Sequence, residues 1–282
     1  MTTHVFPATV PLDVVIDNAG GDVLVRVGDG PEATVTATGE RAEEAVVGLD
    51  GTTLSVRVPR PSIAGFLVES SMLDRTWRVD LTVTAPAGSS LDVKLRAGTV
   101  TADGPFDRVR VDTGAGAVRL TGAKGAIDIR SGAGDIEVDA VAAASRMRTG
   151  AGRIRVRHVH ADTDVTSGTG EVELDEVAAP SRVKSGAGSV RAGVVSSDLL
   201  VESGVGGARV DRLAAGSFEF KGSMGDVTVG VVPGVPTWTE LRTTIGRIRN
   251  RLPAVGEPAP GAEHLSVRVV TVGGTIELVP AV

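Results

Sequence analysis

The chain has 282 residues, of which 41% are apolar but only 2% aromatic, with 37 glycines and no cysteine. The lack of cysteine excludes disulfides and thiolate metal sites, and a net charge of −6 does not favour a nucleic-acid-binding surface. No apolar run approaches the ~18 residues of a membrane span, and MTTHVFPATV does not resemble a signal peptide. We therefore expect a cytoplasmic protein, with surface display only by non-standard export.

Residues 1–90 are predicted to form an N-terminal β cap. Residues 13–60 alternate between apolar and polar positions, as in DVLVRV and TLSVRVP, and are interpreted as antiparallel strands. The segment SIAGFLVESSMLDRTWR (62–78) breaks the alternation and is expected to form a short helix or an apolar loop. A cap is expected because the open strand edges of a repeat protein otherwise pair between molecules.

From residue 91 onward the chain repeats a phrase such as IDIRSGAGDIEV. Its second glycine recurs every 18 residues, at Gly98, Gly116, Gly134, Gly152, Gly170, Gly188 and Gly206. Apolar residues recur with the same period, for example Val93, Val111, Ile129, Met147, Val165, Val183 and Val201. A fixed period of this kind is typical of a repeat architecture, and the alternation within each copy buries one face.

The charged positions decide how the repeated strands pair. One column runs Asp92, Arg110, Asp128, Arg146, Asp164, Arg182, and a second runs Arg119, Glu137, Arg155, Glu173, Arg191. If each phrase folded into a hairpin, like charges would face each other, as in Arg110 opposite Arg119, which is destabilising. If the copies stack in parallel, every charge has opposite charges above and below it. The sequence therefore predicts that strands pair with their copies.

The predicted fold is all-β, a single-chain parallel β-solenoid with 18-residue coils and an N-terminal antiparallel β cap. The cap covers residues 1–90 and the solenoid residues 91–282, with regular coils over 91–215 and irregular coils over 216–282. RLPAVGEPAPGAEH (251–264) is predicted to be a surface loop. The sequence leaves open whether each coil has two or three faces.

Two features of the turn are interpreted as structural. A small residue between the glycines (Ala115, Ala133, Ala151, Ala187) is expected to point inward at a corner. The hydroxyl column Thr113, Ser131, Thr149, Ser167, Ser185, Ser203 is expected to hydrogen-bond to the turn backbone. The alternative for this column, an ice- or sugar-binding ladder, lacks the second threonine column that a flat hydroxyl face needs.

No catalytic, cofactor-binding or metal-ligating residue is assigned. Calcium is not favoured, because Arg153 stands in the column after the second glycine where a carboxylate would be required. His158 and His160 are too few ligands for zinc and are expected to be solvated. Phe218 and Phe220 fall in inward columns and are expected to plug the core. The alternative is a ligand groove lined by these two residues together with Phe66, Trp77, Phe106 and Trp238.

The phrases RSGAGDIEVD and KSGAGSVRA, with VVIDNAGGDVLVRV and VTVGGTIEL, resemble a bacterial family of β-strand repeat proteins of unknown function called putative adhesins. The resemblance covers nearly the whole chain. It implies a β-solenoid, a surface role and no established catalytic residues.

Three functions follow from these observations. The first is a non-enzymatic binding or scaffold protein, adhesin-like, presenting a flat mixed-charge surface to a protein, envelope or carbohydrate partner. The second is an intracellular filament or scaffold that self-associates end to end or face to face. The third, a carbohydrate-active β-helix enzyme, is disfavoured because the outward charges form self-neutralising ladders rather than a carboxylate pair.

Overall fold

The computed structural model describes residues 1–59, 78–253 and 264–281. These residues divide into two compact units, Met1–Gly134 and Asp135–Val282. Both units are β-structure, and the described residues contain one short 3₁₀ helix, Ala42–Glu44. The predicted helix or loop at 62–78, including Phe66 and Trp77, lies outside the described residues except for Arg78, as does most of the predicted loop at 251–264.

The strands of the first unit are β1 (Thr2–Pro7), β2 (Asp13–Asn18), β3 (Val23–Gly28), β4 (Glu32–Thr38), β5 (Val46–Asp50), β6 (Thr53–Arg57), β7 (Asp80–Pro86), β8 (Ser90–Ala97), β9 (Val100–Asp103), β10 (Val109–Ala115), β11 (Val118–Ala123) and β12 (Ile127–Ala133). The strands of the second unit are β13 (Ile136–Val141), β14 (Ser145–Ala151), β15 (Ile154–Val159), β16 (Thr163–Thr169), β17 (Val172–Val177), β18 (Ser181–Ala187), β19 (Val190–Val195), β20 (Leu199–Val205), β21 (Ala208–Leu213), β22 (Ser217–Met224), β23 (Val227–Val231), β24 (Thr237–Ile245), β25 (Ile248–Asn250), β26 (Leu265–Gly273) and β27 (Ile276–Pro280).

In the regular part of each unit, strands pair in parallel with their copies 18 residues away. Val109 pairs with Leu91 and with Ile127 in the first unit, and Thr163 pairs with Ser181 in the second. Each coil, which we call a rung, contributes one strand to each of two sheets. The predicted solenoid with 18-residue coils is confirmed, and its coils have two faces.

The core consists of the predicted apolar columns. Val165, Val183 and Val201 on one sheet, and Val172 and Leu174 on the other, are at most 1% exposed. Because side chains alternate along a strand, each sheet turns one set inward and leaves the other in solvent. The low aromatic content therefore suits a thin core made from two layers of aliphatic side chains.

A glycine with positive φ makes the corner of each regular rung. Gly188 has φ of +141°, and a Cβ placed on it would collide with the carbonyl oxygen of Gly170 in the rung before. Only glycine combines this left-handed backbone with such close stacking. The 18-residue glycine period thus records the point at which consecutive rungs touch through their backbones.

The alanine between the two glycines does not point inward. Ala115, Ala133, Ala151 and Ala187 are exposed, whereas the hydroxyl residue two positions earlier is buried. The prediction for these alanines is wrong, because the strand bends at the corner and directs the Cβ outward. The inward position is taken by residues such as Thr113 and Ser185.

The cap contains both kinds of pairing. Strands β1, β4 and β5 are antiparallel to their neighbours, as predicted, because β4 pairs with β1 and β7 and β5 pairs with β6. The antiparallel prediction is wrong for the other pairs of the cap. Strand β2 is parallel to β6 and β8, and β3 is parallel to β7 and β9. Parallel stacking thus starts before residue 90. The predicted boundary between cap and solenoid at residue 90 stays a prediction.

Chain order and rung order differ in both units. In the second unit β26 lies between β22 and β24, so the last rung in the sequence is inserted before the rung of residues 237–250. In the first unit β2 lies between β8 and β6. In the second unit the late strand β26 is thus paired on both sides, and the earlier strand β24 lies at the edge. In the first unit the early strand β2 is paired on both sides, and the later strand β5 lies at the edge.

Candidate binding surface

The outward side chains of the second unit form two charged surfaces. The outward side of β14, β16, β18, β20 and β22, which we call the basic face, carries five cations and three carboxylates: Arg146, Arg148, Arg182, Lys184 and Lys221, with Asp164, Glu202 and Glu219. The outward side of β13, β15, β17, β19 and β21, which we call the mixed face, carries five arginines and six carboxylates: Arg155, Arg157, Arg191, Arg209 and Arg212, with Glu137, Asp139, Glu173, Asp175, Glu176 and Asp211.

The charge columns have the predicted register. On neighbouring strands Arg110 lies directly opposite both Asp92 and Asp128 in the first unit, and Asp164 lies opposite Arg182 in the second. The closest ion pairs, however, do not run straight up these columns.

Several short ion pairs are diagonal, joining a residue to a charge twenty positions away. Arg182 donates to Glu202 at 2.9 Å, Arg191 donates to Asp211 at 2.8 Å, and the straight pair Arg155–Glu173 is longer at 3.8 Å. Diagonal neighbours lie within reach of a long arginine side chain. Sequence reasoning missed these contacts because it followed each column of charges separately. The partner of a diagonal pair stands in another column, which lies two residues away along each strand.

The ion pairs shift the pKa values of their members. Hydrogen bonds from Lys184 and Arg182 lower the pKa of Glu202 below its usual value. Partial burial acts to raise the pKa of Asp211, but hydrogen bonds from Arg209 and Arg191 outweigh it, and the pKa is lowered overall. Both carboxylates are therefore ionised at neutral pH.

The basic face keeps cationic charge that its carboxylates do not neutralise. Lys184 and Arg182 share Glu202, at 3.1 and 2.9 Å, and Arg148 has no ion pair within the described residues. A shallow depression of about 410 Å³ opens on this face beside Lys184, Glu202 and Lys221. The surface can therefore attract a negatively charged group without displacing an existing pair.

A second groove, of about 440 Å³, lies on the first unit beside Asp92, Arg110 and Asp128. The Oδ1 atoms of both aspartates are buried and have no hydrogen-bond partner within the described residues. Among those residues, no group of three or more His, Asp or Glu side chains is arranged to hold a metal ion.

The carboxylates at the turn hydrogen-bond to backbone amides. Asp135 Oδ1 accepts a hydrogen bond from the Arg153 N–H at 2.8 Å, and Asp22 and Asp226 do the same for Thr99 and Thr275. In each case the amide belongs to an adjacent rung at the equivalent turn. Where the column after the second glycine carries aspartate, the side chain therefore ties two rungs together.

The hydroxyl column points into the core. Thr149 Oγ1 donates to the carbonyl of Ala151 at 3.1 Å, as expected for a bond to the turn. Thr113, Ser131 and Ser203 are equally buried, but their hydroxyls have no partner within the described residues. The predicted turn bond therefore forms in only part of the column.

A second hydroxyl column begins the strands of the same sheet and was missed by sequence reasoning. Ser181 donates to the Ala179 carbonyl at 3.0 Å, and Ser145 and Thr163 bond equivalently. The signal was present in the sequence, since these positions also follow the 18-residue period.

The two histidines near residue 160 are solvent-exposed, whereas three phenylalanines are buried in the core. His158 and His160 are exposed and stacked, with ring centroids 6.0 Å apart, and His158 Nδ1 lies 2.9 Å from Glu176 Oε2. Phe218 and Phe220 are at most 1% exposed and fill the core as predicted, whereas Trp238 is 54% exposed. Phe106 is also fully buried, so these phenylalanines do not line an open groove.

Among the described residues, no helix has the length and apolar character needed to cross a membrane.

Known proteins were compared with this chain in sequence and in structure. No curated protein matches it. A protein called a putative adhesin from Bacteroides fragilis NCTC 9343 is 10% identical with a TM-score of 0.45, and the match covers 99% of this chain and 96% of that chain. A protein called a putative lipid binding protein from Parabacteroides distasonis ATCC 8503 is 13% identical with a TM-score of 0.44, over 99% of this chain and 96% of that chain.

A family model described as Toastrack DUF4097 matches residues 13–192, which is more than half of the chain. The match includes the inserted β2, most of the regular rungs and most of the basic and mixed faces. The chain therefore belongs to the Toastrack DUF4097 family.

Proposed function

We propose that the protein is a non-enzymatic binding or scaffold protein, located in the cytoplasm, whose basic face holds a negatively charged partner. The observation that carries this proposal is the excess of cations on that face, with five basic side chains for three carboxylates. Fixed rungs hold these charges in a regular array. Such an array favours an extended partner with many charges over a small ligand.

Physical chemistry supports this surface more than the mixed face. Opposite charges within one protein neutralise each other, so the mixed face offers little net attraction. On the basic face Arg148, which has no ion pair in the part of the chain that the structure describes, and the shared carboxylate Glu202 leave charge available. Attraction at an exposed surface weakens when salt screens it. Binding is therefore expected to be strong only at low ionic strength.

The experiment measures binding of the full chain to two model polyanions, poly-L-glutamate for an acidic protein and polygalacturonate for an acidic polysaccharide. We expect salt-sensitive binding to one of them, and the preferred polymer identifies the partner's chemical class. Arg148→Glu should weaken it several-fold. Arg212→Glu is the matched control, because it changes net charge equally but lies on the mixed face.

Failure of both polymers to bind at low salt would contradict the proposal, and so would equal losses in the two variants. Cell fractionation tests the location separately: recovery of the protein in the envelope fraction would overturn the cytoplasmic assignment while leaving the charge-based binding intact.

A further inference from the structure

Strand β24 forms an open edge of the second unit. It pairs with β26 on one side, and within the described residues no strand pairs with its other side. Its companion β25 likewise pairs only with β27. An unpaired edge presents a row of free N–H and C=O groups that another strand can use.

The core beneath β24 is incompletely covered. Thr239 and Leu241 point inward but are only partly buried, whereas their register partners Val267 and Val269, one rung further in, are fully buried. Apolar surface of this kind gains free energy when another layer covers it. The edge therefore offers both hydrogen bonds and an apolar contact.

The terminal rung that contains this edge is basic. On β24 itself Arg242 pairs with the carboxylate Glu240 at 2.8 Å. Further arginines follow in the turn, in β25 and directly after it: Arg247, Arg249 and Arg251, the last of which pairs with Glu277 at 3.0 Å. The rung also exposes large apolar side chains: Trp238 at 54%, Ile245 at 73% and Ile248 at 46%. Arg247 and Arg249 have no ion pair within the described residues.

Strand β5 forms an open edge of the first unit with the opposite charge. It pairs with β6, and within the described residues no strand covers its other side. Its apolar residues Val47 and Leu49 are partly exposed, whereas their partners Val56 and Leu54 are at most 1% exposed. This edge therefore also lacks a covering layer.

The surroundings of β5 are acidic. Asp50 ends β5 and is exposed, as are Glu40 and Glu43 in the segment that leads into β5, where Arg41 pairs with Glu44 at 2.6 Å. The basic terminal rung with β24 and the acidic segment with β5 are therefore complementary in charge, and each open edge carries half-covered apolar residues.

We propose that the outer edge of β24 in one copy pairs with the outer edge of β5 in a second copy of the same chain. Two basic edges repel each other, as do two acidic edges, so the charges select the head-to-tail contact. Such a contact joins different surfaces on the two copies and can continue from copy to copy. The protein thus assembles into open-ended chains, independently of any partner on the basic face.

A second copy suits this edge better than a lipid surface. The basic and apolar side chains of β24 would also attract an anionic membrane. Backbone groups at a strand edge, however, find no hydrogen-bond partner in the apolar part of a bilayer. A second strand satisfies them.

The test is sedimentation velocity of the full chain from low to high micromolar concentration. We expect the wild type to grow in size with concentration and to dissociate in high salt. The double variant Arg247→Glu/Arg249→Glu makes the terminal rung with β24 acidic, and Glu43→Arg/Asp50→Arg makes the segment with β5 basic. Each variant alone should stay monomeric, with an unchanged circular dichroism spectrum.

Mixing the two variants is the decisive step. The acidic β24 edge of one variant meets the basic β5 edge of the other, and the mixture should assemble again. The control pair Lys124→Glu/Arg212→Glu changes the net charge as much, away from both edges, and should assemble like the wild type.

A wild type that stays monomeric at every concentration and salt level would overturn the proposal, and so would a mixture that fails to recover assembly. Binding of a monomeric wild type to anionic vesicles, lost in Arg247→Glu/Arg249→Glu, would assign the edge to a lipid surface and equally overturn it.

Discussion

The regular rungs and the terminal rung of the second unit are built from similar residues but are packed differently. Leu174, in a regular rung, is fully buried between the rungs on both sides, whereas Leu241 in the terminal rung is only partly buried. Each rung contacts only its neighbours, so its stability depends on how many neighbours it has. An inward leucine is therefore expected to contribute less to the free energy of unfolding in the terminal rung than in a regular rung.

The largest expected effect is at the corner of a regular rung. Gly188→Ala adds a Cβ that collides with the Gly170 carbonyl and disfavours the positive φ. We expect a loss of roughly 2–6 kcal/mol in unfolding free energy. Urea denaturation measures it, with Ala187→Ser as control, because Ala187 is the exposed neighbour. Equal stability of both variants would show that the rungs do not touch through these glycines.

The next effect compares the same side chain in the two kinds of rung. Leu174→Ala should cost about 2–5 kcal/mol, as for other fully buried leucines. Leu241→Ala should cost only about 1 kcal/mol, because part of its surface is already in water. Urea denaturation below the concentration at which copies assemble gives both values. Similar losses would mean that the edge is covered in solution.

A smaller effect separates the two hydroxyl columns of the regular rungs. Ser181→Ala removes the bond to the Ala179 carbonyl and should cost about 1 kcal/mol. Ser167→Ala removes a buried hydroxyl without a partner among the described residues and should leave stability unchanged or raise it. The difference between the thermal midpoints of the two variants measures this. A larger loss for Ser167→Ala would reveal a hydrogen bond in solution.

The smallest effect is the pH dependence of the ion pairs that Glu202 forms with Lys184 and Arg182. Because the pKa of Glu202 is lowered in the folded state, its contribution to stability is complete above the usual value of 4.5 and is lost as the pH falls below it. The contribution is small, since the pair is exposed to solvent. Acid titration of the unfolding midpoint should show a shallower decline in Glu202→Gln than in the wild type. Identical profiles would mean that the pair does not form.

The parallel register was predictable because charge signs excluded the hairpin. Arg110 stands between Asp92 and Asp128, as expected from their alternation along the sequence. The inward columns were predictable from the apolar pattern, since a period of two within a strand and of 18 between strands leaves one arrangement that buries every apolar column.

The terminal rungs were not predictable from these patterns. The phrase VTVGGTIEL matches the repeat, but a match does not tell whether β26 lies before or after β24. That order depends on which strand covers the core of the preceding rung. The orientation of Ala187 was missed similarly, because alternation says nothing about a strand that bends at a corner.

The candidate surface was predicted only in part. A mixed-charge face was expected, and the outward columns supply it. The excess of cations on one face became visible only once the strands had been divided between two sheets. Arg148 and Glu137 follow the same repeat, but the coil places them on different sheets.

The amino-acid sequence alone determined the period, the parallel pairing and the inward columns, because these follow from local alternation and from charge repulsion between neighbouring strands. Only the tertiary structure decided the order of the rungs near the termini, the division of charges between the two faces and the identity of the open edges. These depend on which strands lie side by side across long stretches of chain, and identical repeats do not encode that choice.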